Sequence, residues 1–155
     1  MTINIVLSIN DETIRKALAD PQLVKGPIMT MLKKSALMIE QKAKLKATVD
    51  TGHMRRGIKT FLSPLQAVIE ATEKYSAFVE MGTRPHWPPR KALQPWARRH
   101  GFPPGMKGAS MLAAAIAKRG TKAQPFMMPA LEESKNAIQG LIQQAANQIR
   151  ERWRR

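Results

Sequence analysis

The chain has 155 residues, 43% of them hydrophobic, and no cysteine; this fits one domain with a real core and excludes disulfides, thiolate catalysis and cysteine-ligated zinc. Lys and Arg number 26 against 11 Asp and Glu, a formal +15, and such a field attracts polyanions: nucleic acid, an anionic membrane or an acidic protein surface. No apolar run reaches the roughly 18 residues of a membrane-spanning helix, so a soluble protein made inside the cell is the expectation.

At the N-terminus, Ile3, Ile5, Leu7 and Ile9 alternate with Thr2, Asn4, Val6 and Ser8, a period of two that predicts a strand with one face more apolar than the other. The stretch has no basic flank and no continuous apolar block, so it does not read as a signal peptide. Asn10 or Asp11 then caps a short predicted helix carrying Ile14 and Leu18, with Pro21 just past its end. From Pro27, suited to a first turn, Ile28, Leu32, Ala36, Ile39 and Ala43 recur at intervals of three and four. That stripe predicts a long amphipathic helix, with Lys33, Lys34, Lys42, Lys44 and Lys46 mainly on its outer side. Val49-Asp50-Thr51-Gly52 ends it.

Two short strands, Ile58 to Leu62 and Gln66 to Ala71, flank Ser63-Pro64-Leu65 and predict an antiparallel hairpin. Glu73 to Met81 reads as a helix with Tyr75, Phe78 and Val79 on one face and Gly82 as its stop. Arg84-Pro85-His86-Trp87-Pro88-Pro89 is too rich in proline for a ladder. Ala92 to His100 predicts a short helix containing Trp96, and Phe102-Pro103-Pro104-Gly105 a loop. Ser110 to Lys118 predicts an Ala-rich helix, with Leu112 and Ile116 at helical spacing, stopped by Gly120. A last helix shares Leu131, Ser134, Ile138, Leu141, Ala145 and Ile149 on one face, with Pro129 in its first turn. Gly140 weakens that helix by about 1 kcal/mol relative to Ala, and Arg150, Arg152, Arg154 and Arg155 complement its dipole. The expected class is therefore α+β: a small antiparallel sheet packed against a long amphipathic helix and a long C-terminal helix, with a helical, Pro-rich insertion at about 84–124.

The residues offer little chemistry. His53, His86 and His100 lack the spacing that puts two metal ligands on one helix face, and no carboxylate cluster completes a shell. Ser8, Ser35, Ser63, Ser76, Ser110 and Ser134 sit in no strand–turn–helix elbow, and no spacing marks Asp50, Glu70, Glu73 and Glu80 as an acid–base pair. Lys118-Arg119-Gly120-Thr121-Lys122 is basic but lacks the spacing of a phosphate loop. No enzyme activity, metal or cofactor is expected. The 10 methionines read as flexible core filler. Trp87, Trp96 and Trp153 sit beside Arg or Pro, and two roles fit them equally: stacking or anchoring at an interface, and pinning loops to their own core.

The charge is uneven. No Asp or Glu occurs between Met81 and Leu131, where Arg84, Arg90, Lys91, Arg98, Arg99, Lys107, Lys118, Arg119 and Lys122 all fall. Of these, Arg90, Lys91, Arg98, Arg99, Lys118, Arg119 and Lys122 are the candidates to face DNA or a protein partner.

Three stretches together resemble a known family: Asp50-Thr51-Gly52-His53-Met54-Arg55-Arg56-Gly57-Ile58; Tyr75 through Val79-Glu80-Met81-Gly82-Thr83-Arg84 to Pro89; and Arg119-Gly120-Thr121-Lys122-Ala123-Gln124-Pro125-Phe126-Met127-Met128-Pro129-Ala130-Leu131. Their order, from roughly Lys25 to the C-terminus, is similar to that of the head–tail joining proteins of tailed bacteriophages, the neck and tail-completion proteins. The motif positions here are Thr51, Gly52, Arg55, Tyr75, Val79, Glu80, Gly82, Thr83, Arg84, Gly120, Thr121, Pro125, Phe126, Pro129 and Ala130. The resemblance implies a structural subunit in the virion, without enzyme activity. It further implies a homo-oligomeric ring, a hexamer favoured, between the capsid connector and the tail, surrounding the DNA path and touching duplex DNA in transit. Phe126 needs burial, within the subunit or against a neighbour. Two rivals remain at this point. One is a free basic nucleic-acid-binding protein, favoured by charge but without a recognisable binding motif. The other is a peripheral membrane protein, which would need the stripe from Ile28 to Ala43 exposed.

Overall fold

The computed structural model describes residues 2–8 and 21–154. Ile9 and the short helix expected after Asn10 or Asp11 lie outside the described residues. The chain forms two compact units, one from residues 1–76 with 125–155 and one from residues 77–124.

In the first unit β1 (Ile3–Ser8), β2 (Ile58–Ser63) and β3 (Gln66–Ala71) form an antiparallel sheet in the order β1-β3-β2. The predicted hairpin is present, turning through Pro64-Leu65 between the paired Ser63 and Gln66. No non-glycine among the described residues has a positive φ, so this turn lacks the mirror-image geometry that two-residue hairpins favour. Pairing of β1 with β3 sets Ile5 beside Ile69, and Thr60 of β2 stands on Ile69's other side. Ile5, Ala67, Ile69, Ala71 and Ile58 are buried on that face, so the alternation read in β1 is the observed one as far as Leu7.

Helix α1 (Pro21–Lys46) packs against β2 and β3. Its predicted stripe is the core: Ile28, Leu32, Ala36, Ile39 and Ala43 are each at most 2% exposed. Each large aliphatic side chain there contributes about 1.5–3 kcal/mol by leaving water. Pro27 is not in the first turn; it lies inside the helix and is buried. A proline there costs about 3 kcal/mol and one backbone hydrogen bond, and burial on both sides of it, at Val24 and Ile28, offsets that local preference. Beyond the break, a five-residue helix the periodicity did not predict, α2 (His53–Gly57), buries Met54 and leads into β2. The carbonyl of Gly57 accepts from both the amide and the hydroxyl of Thr72, at 3.0 Å each, tying the start of β2 to the end of β3.

The long helix predicted at the C-terminus is two. After α3 (Ser76–Met81), α4 (Arg90–Arg99) and α5 (Met106–Arg119) come α6 (Met127–Glu132) and α7 (Lys135–Trp153), separated at Glu133-Ser134. The Ser134 hydroxyl bonds back to the Ala130 carbonyl at 2.7 Å, a local bond that bends helices. Lys42 of α1 donates to the Glu133 carbonyl at 2.6 Å, and Lys46 pairs with the Glu133 carboxylate at 2.5 Å. These contacts hold the break against α1. The predicted face survives it: Ser134 and Ala145 are buried, and Leu131, Ile138, Leu141 and Ile149 are half-buried. α7 runs along α1, and the short α6 reaches β1. The sheet therefore packs on α1, and the long C-terminal helix packs on α1 in turn.

The second unit begins within α3 (Ser76–Met81), shorter than the helix expected from Glu73. The Ser76 amide bonds Glu73 and its hydroxyl bonds the Ala71 carbonyl at 3.1 Å, so the chain turns before the helix starts. Ser76, Ala77 and Glu80 are buried, while Tyr75 and Phe78 are exposed and Val79 is half-buried. Helices α4 (Arg90–Arg99) and α5 (Met106–Arg119) pack against each other, starting two and four residues earlier than predicted. Among the described residues no helix is long and apolar enough to cross a membrane.

Candidate interaction surface

Two of the three motifs meet in space. Thr83 and Thr121 form an isolated antiparallel bridge in which each amide donates to the other's carbonyl at 3.1 Å. Their hydroxyl oxygens lie 3.0 Å apart, and the Thr121 amide also reaches the Thr83 hydroxyl. The Gln124 amide donates to the Val79 carbonyl at 2.8 Å, adding a further rung. Each threonine follows a glycine with positive φ, Gly82 at 70° and Gly120 at 71°. A Cβ on Gly82 would stand 2.5 Å from the Thr121 carbonyl oxygen, and one on Gly120 only 1.9 Å from that of Thr83. The paired Gly-Thr dipeptides thus form a clasp whose two backbones approach too closely for any side chain. It closes the segment that carries α4 and α5. Repetition of the dipeptide was the sequence signal for this pairing, and reading each glycine only as a helix stop missed it.

The other motif residues are divided between surface and core. Gly52, at φ 75°, precedes α2, and Arg56 donates to the Thr51 carbonyl at 3.4 Å; Thr51 and Arg55 are exposed. Phe126 is fully buried within the chain, beside buried Met127 and Ala130, whereas Pro125 is exposed and Pro129 half-buried in the first turn of α6. Glu80 is 5% exposed. Partial burial, then the charges of Glu73 and Asp50, push the Tyr75 phenol above its ordinary range.

All seven candidate contact residues, Arg90, Lys91, Arg98, Arg99, Lys118, Arg119 and Lys122, are exposed, as are Arg84 and Lys107. Trp96 stacks on His100, with ring centroids 3.8 Å apart and planes within 8°, and lies 6.1 Å from the Phe102 ring. The His100 ring also meets the Trp96 carbonyl at 2.9 Å. Trp96 therefore pins the end of α4 to the following loop. Trp87 is 73% exposed and, with Pro88, Pro89, Arg90 and Ser110, lines an open groove of about 590 Å³. The His86 ring meets the nearby Arg84 carbonyl at 2.9 Å, and His53 is exposed. Among the described residues no three His, Asp or Glu side chains gather as a metal site.

On the first unit, the sheet presents a second surface that sequence reading did not single out. The registers place Val6, Val68 and Phe61 in one row across the three strands, on the face opposite Ile5 and Ile69. Val6 is 47% exposed and Phe61 50% exposed. Among the described residues β3 is central and β1 and β2 are the sheet's edges. The signal for this row was period two itself, read in β1 only for its buried side.

Residues 11–82 match the family model described as "Bacteriophage HK97-gp10, putative tail-component". No curated protein and no solved structure matches the chain. The matched segment contains the first motif and the second as far as Gly82, and starts earlier than the resemblance read from the residues. The third motif lies beyond it and is joined to it by the clasp at Gly82-Thr83 and Gly120-Thr121. Over this segment the chain is similar to a family of bacteriophage head–tail and tail proteins, structural components of the virion that work in contact with other phage proteins.

Proposed function

We propose that the chain is a non-enzymatic subunit of the phage head–tail junction, joined with copies of itself into a ring, a hexamer favoured, around the path of the DNA. The observation that carries this reading is the open sheet: three strands with β1 and β2 at its edges among the described residues, and an apolar row, Val6-Val68-Phe61, on the face turned away from α1. Free edges and exposed apolar rows invite pairing with another chain, and a closed ring satisfies them without open-ended growth. The clasp supports it as well, since it closes the cationic segment on itself. The connector and tail proteins would be the partners above and below.

The test is genetic. Phage lacking this chain should accumulate filled heads and separate tails by electron microscopy; normal, infectious particles would end the proposal. A free nucleic-acid-binding protein is the second reading, favoured by the exposed cations of residues 77–124, and it predicts a chain absent from mature particles. The membrane reading has lost its basis, because the stripe from Ile28 to Ala43 is buried.

A further inference from the structure

The unit of residues 77–124 holds nine Lys and Arg against one acid, Glu80, a formal +8. All nine cations are exposed, while Glu80 is buried. Helix dipoles explain part of this. Arg98 and Arg99 close α4, and Lys118 and Arg119 close α5, where each cation contributes about 0.3–1 kcal/mol. They do not explain the other ends. Arg90 and Lys91 open α4 and Lys107 lies in the first turn of α5; neither first turn holds an acid. There the positive end of the dipole repels a cation, so these three side chains oppose local stability. Arg90 recovers part of this by donating to the Ser110 hydroxyl of α5 at 3.5 Å; local stability does not account for Lys91 and Lys107.

Lys91 and Arg98, seven residues apart, lie one above the other on α4, a quarter-turn or more from buried Ala97. A protein interface depletes charge at its centre. Here cations stand at both ends of both helices, in the loop after the clasp and beside it, with no exposed acid between them. That pattern matches a uniform polyanion. Duplex DNA presents one negative charge per about 1.7 Å of axis and is bound by counterion release, without reading of bases.

We infer that the 77–124 unit is the DNA-contacting element of the chain, gripping the phosphates of duplex DNA by charge and without sequence preference. The inference rests on the junction reading, which supplies the duplex, and names the part of the subunit that faces it.

The test is fluorescence anisotropy of the full chain on a labelled duplex across a salt series. The variant Lys91→Gln/Arg98→Gln/Lys107→Gln/Lys122→Gln should bind at least about tenfold more weakly, with the salt slope reduced by about 3 to 4 at roughly 0.9 per phosphate. The control Lys25→Gln/Lys33→Gln/Lys34→Gln/Arg154→Gln, four exposed cations of the first unit, should keep the wild-type slope. Should the first variant melt early, Lys91→Gln/Arg98→Gln alone should lower the slope by about 2. Equal losses in variant and control would overturn the inference. So would absence of duplex binding at about 50 mM salt, tighter binding of single strands, which would indicate base stacking, or full competition by polyglutamate at matched charge, which would indicate an acidic protein. Failure here with incorporation into particles intact leaves the junction reading standing; intact DNA binding with no incorporation removes that reading instead.

Discussion

A methyl carbon at position 120 would sit 1.9 Å from the Thr83 carbonyl oxygen, and one at position 82 would sit 2.5 Å from that of Thr121. Both glycines also hold positive φ, where a side chain costs about 1–3 kcal/mol before any clash. Gly82→Ala and Gly120→Ala should therefore each destabilise the clasp by at least that amount. Limited proteolysis should then cut within 77–124 while the first unit stays intact. Gly140 is the internal control: it lies in α7 with open space around it, and Gly140→Ala should raise stability by about 0.5–1 kcal/mol in urea unfolding. Phe126 is fully buried, so Phe126→Ala should cost about 3–5 kcal/mol in the subunit itself, and not merely block assembly. A folded, unchanged melt for Phe126→Ala would contradict its place in the core. The sequence marks Gly82 and Gly120 as stops and Phe126 as a ring needing burial. That each glycine must lack a side chain because the opposite backbone lies against it is a tertiary fact; the repeated dipeptide hints at the pairing, and the clash follows only from residues 38 positions apart standing side by side.

Among the elements, α1 is held to its neighbours by polar ties as well as by its stripe. Burial works to raise the Glu40 carboxyl pKa, but the hydrogen bond and charge of Lys44, with polar groups of Thr60 on β2, more than offset it and leave Glu40 below the ordinary carboxylate range. A lowered folded-state value means the stabilisation is present above the unfolded value of 4.5 and is lost as pH falls through the folded value. Urea midpoints of wild type and Glu40→Gln should differ near neutrality and converge on acidification below about pH 4.5; a constant gap would refute the tie. Helix faces were the most legible feature of the sequence, since the stripes of α1 and α7 depend on one period each. Helix ends were not. The break at Glu133-Ser134 depends on Lys42 and Lys46 arriving from α1, and the late start of α3 depends on Ser76 bonding Ala71. Such contacts come from distant parts of the chain and leave no periodic trace.

At the scale of the whole molecule, the proposal gives self-association to the sheet of the first unit and DNA contact to the 77–124 unit, which holds a formal +8 of the chain's +15. Phe61→Lys, on the solvent face of an edge strand, should leave the thermal melt within about 0.5 kcal/mol of wild type yet abolish rings in native mass spectrometry. A ring unaffected by this change would move the interface elsewhere. Of the candidate site, the basic residues were legible from composition along the chain, because the stretch between Met81 and Leu131 holds no acid. The apolar row was not, because Val6 and Phe61 are distant in sequence and meet only through Val68.

The most direct measurement is the location and copy number of the chain in purified particles, by cryo-electron microscopy with symmetry imposed only about the tail axis. The account predicts a closed ring of copies between connector and tail, with residues 77–124 turned toward the DNA density. Particles that contain no copy of the chain, or a single copy away from that axis, would contradict it.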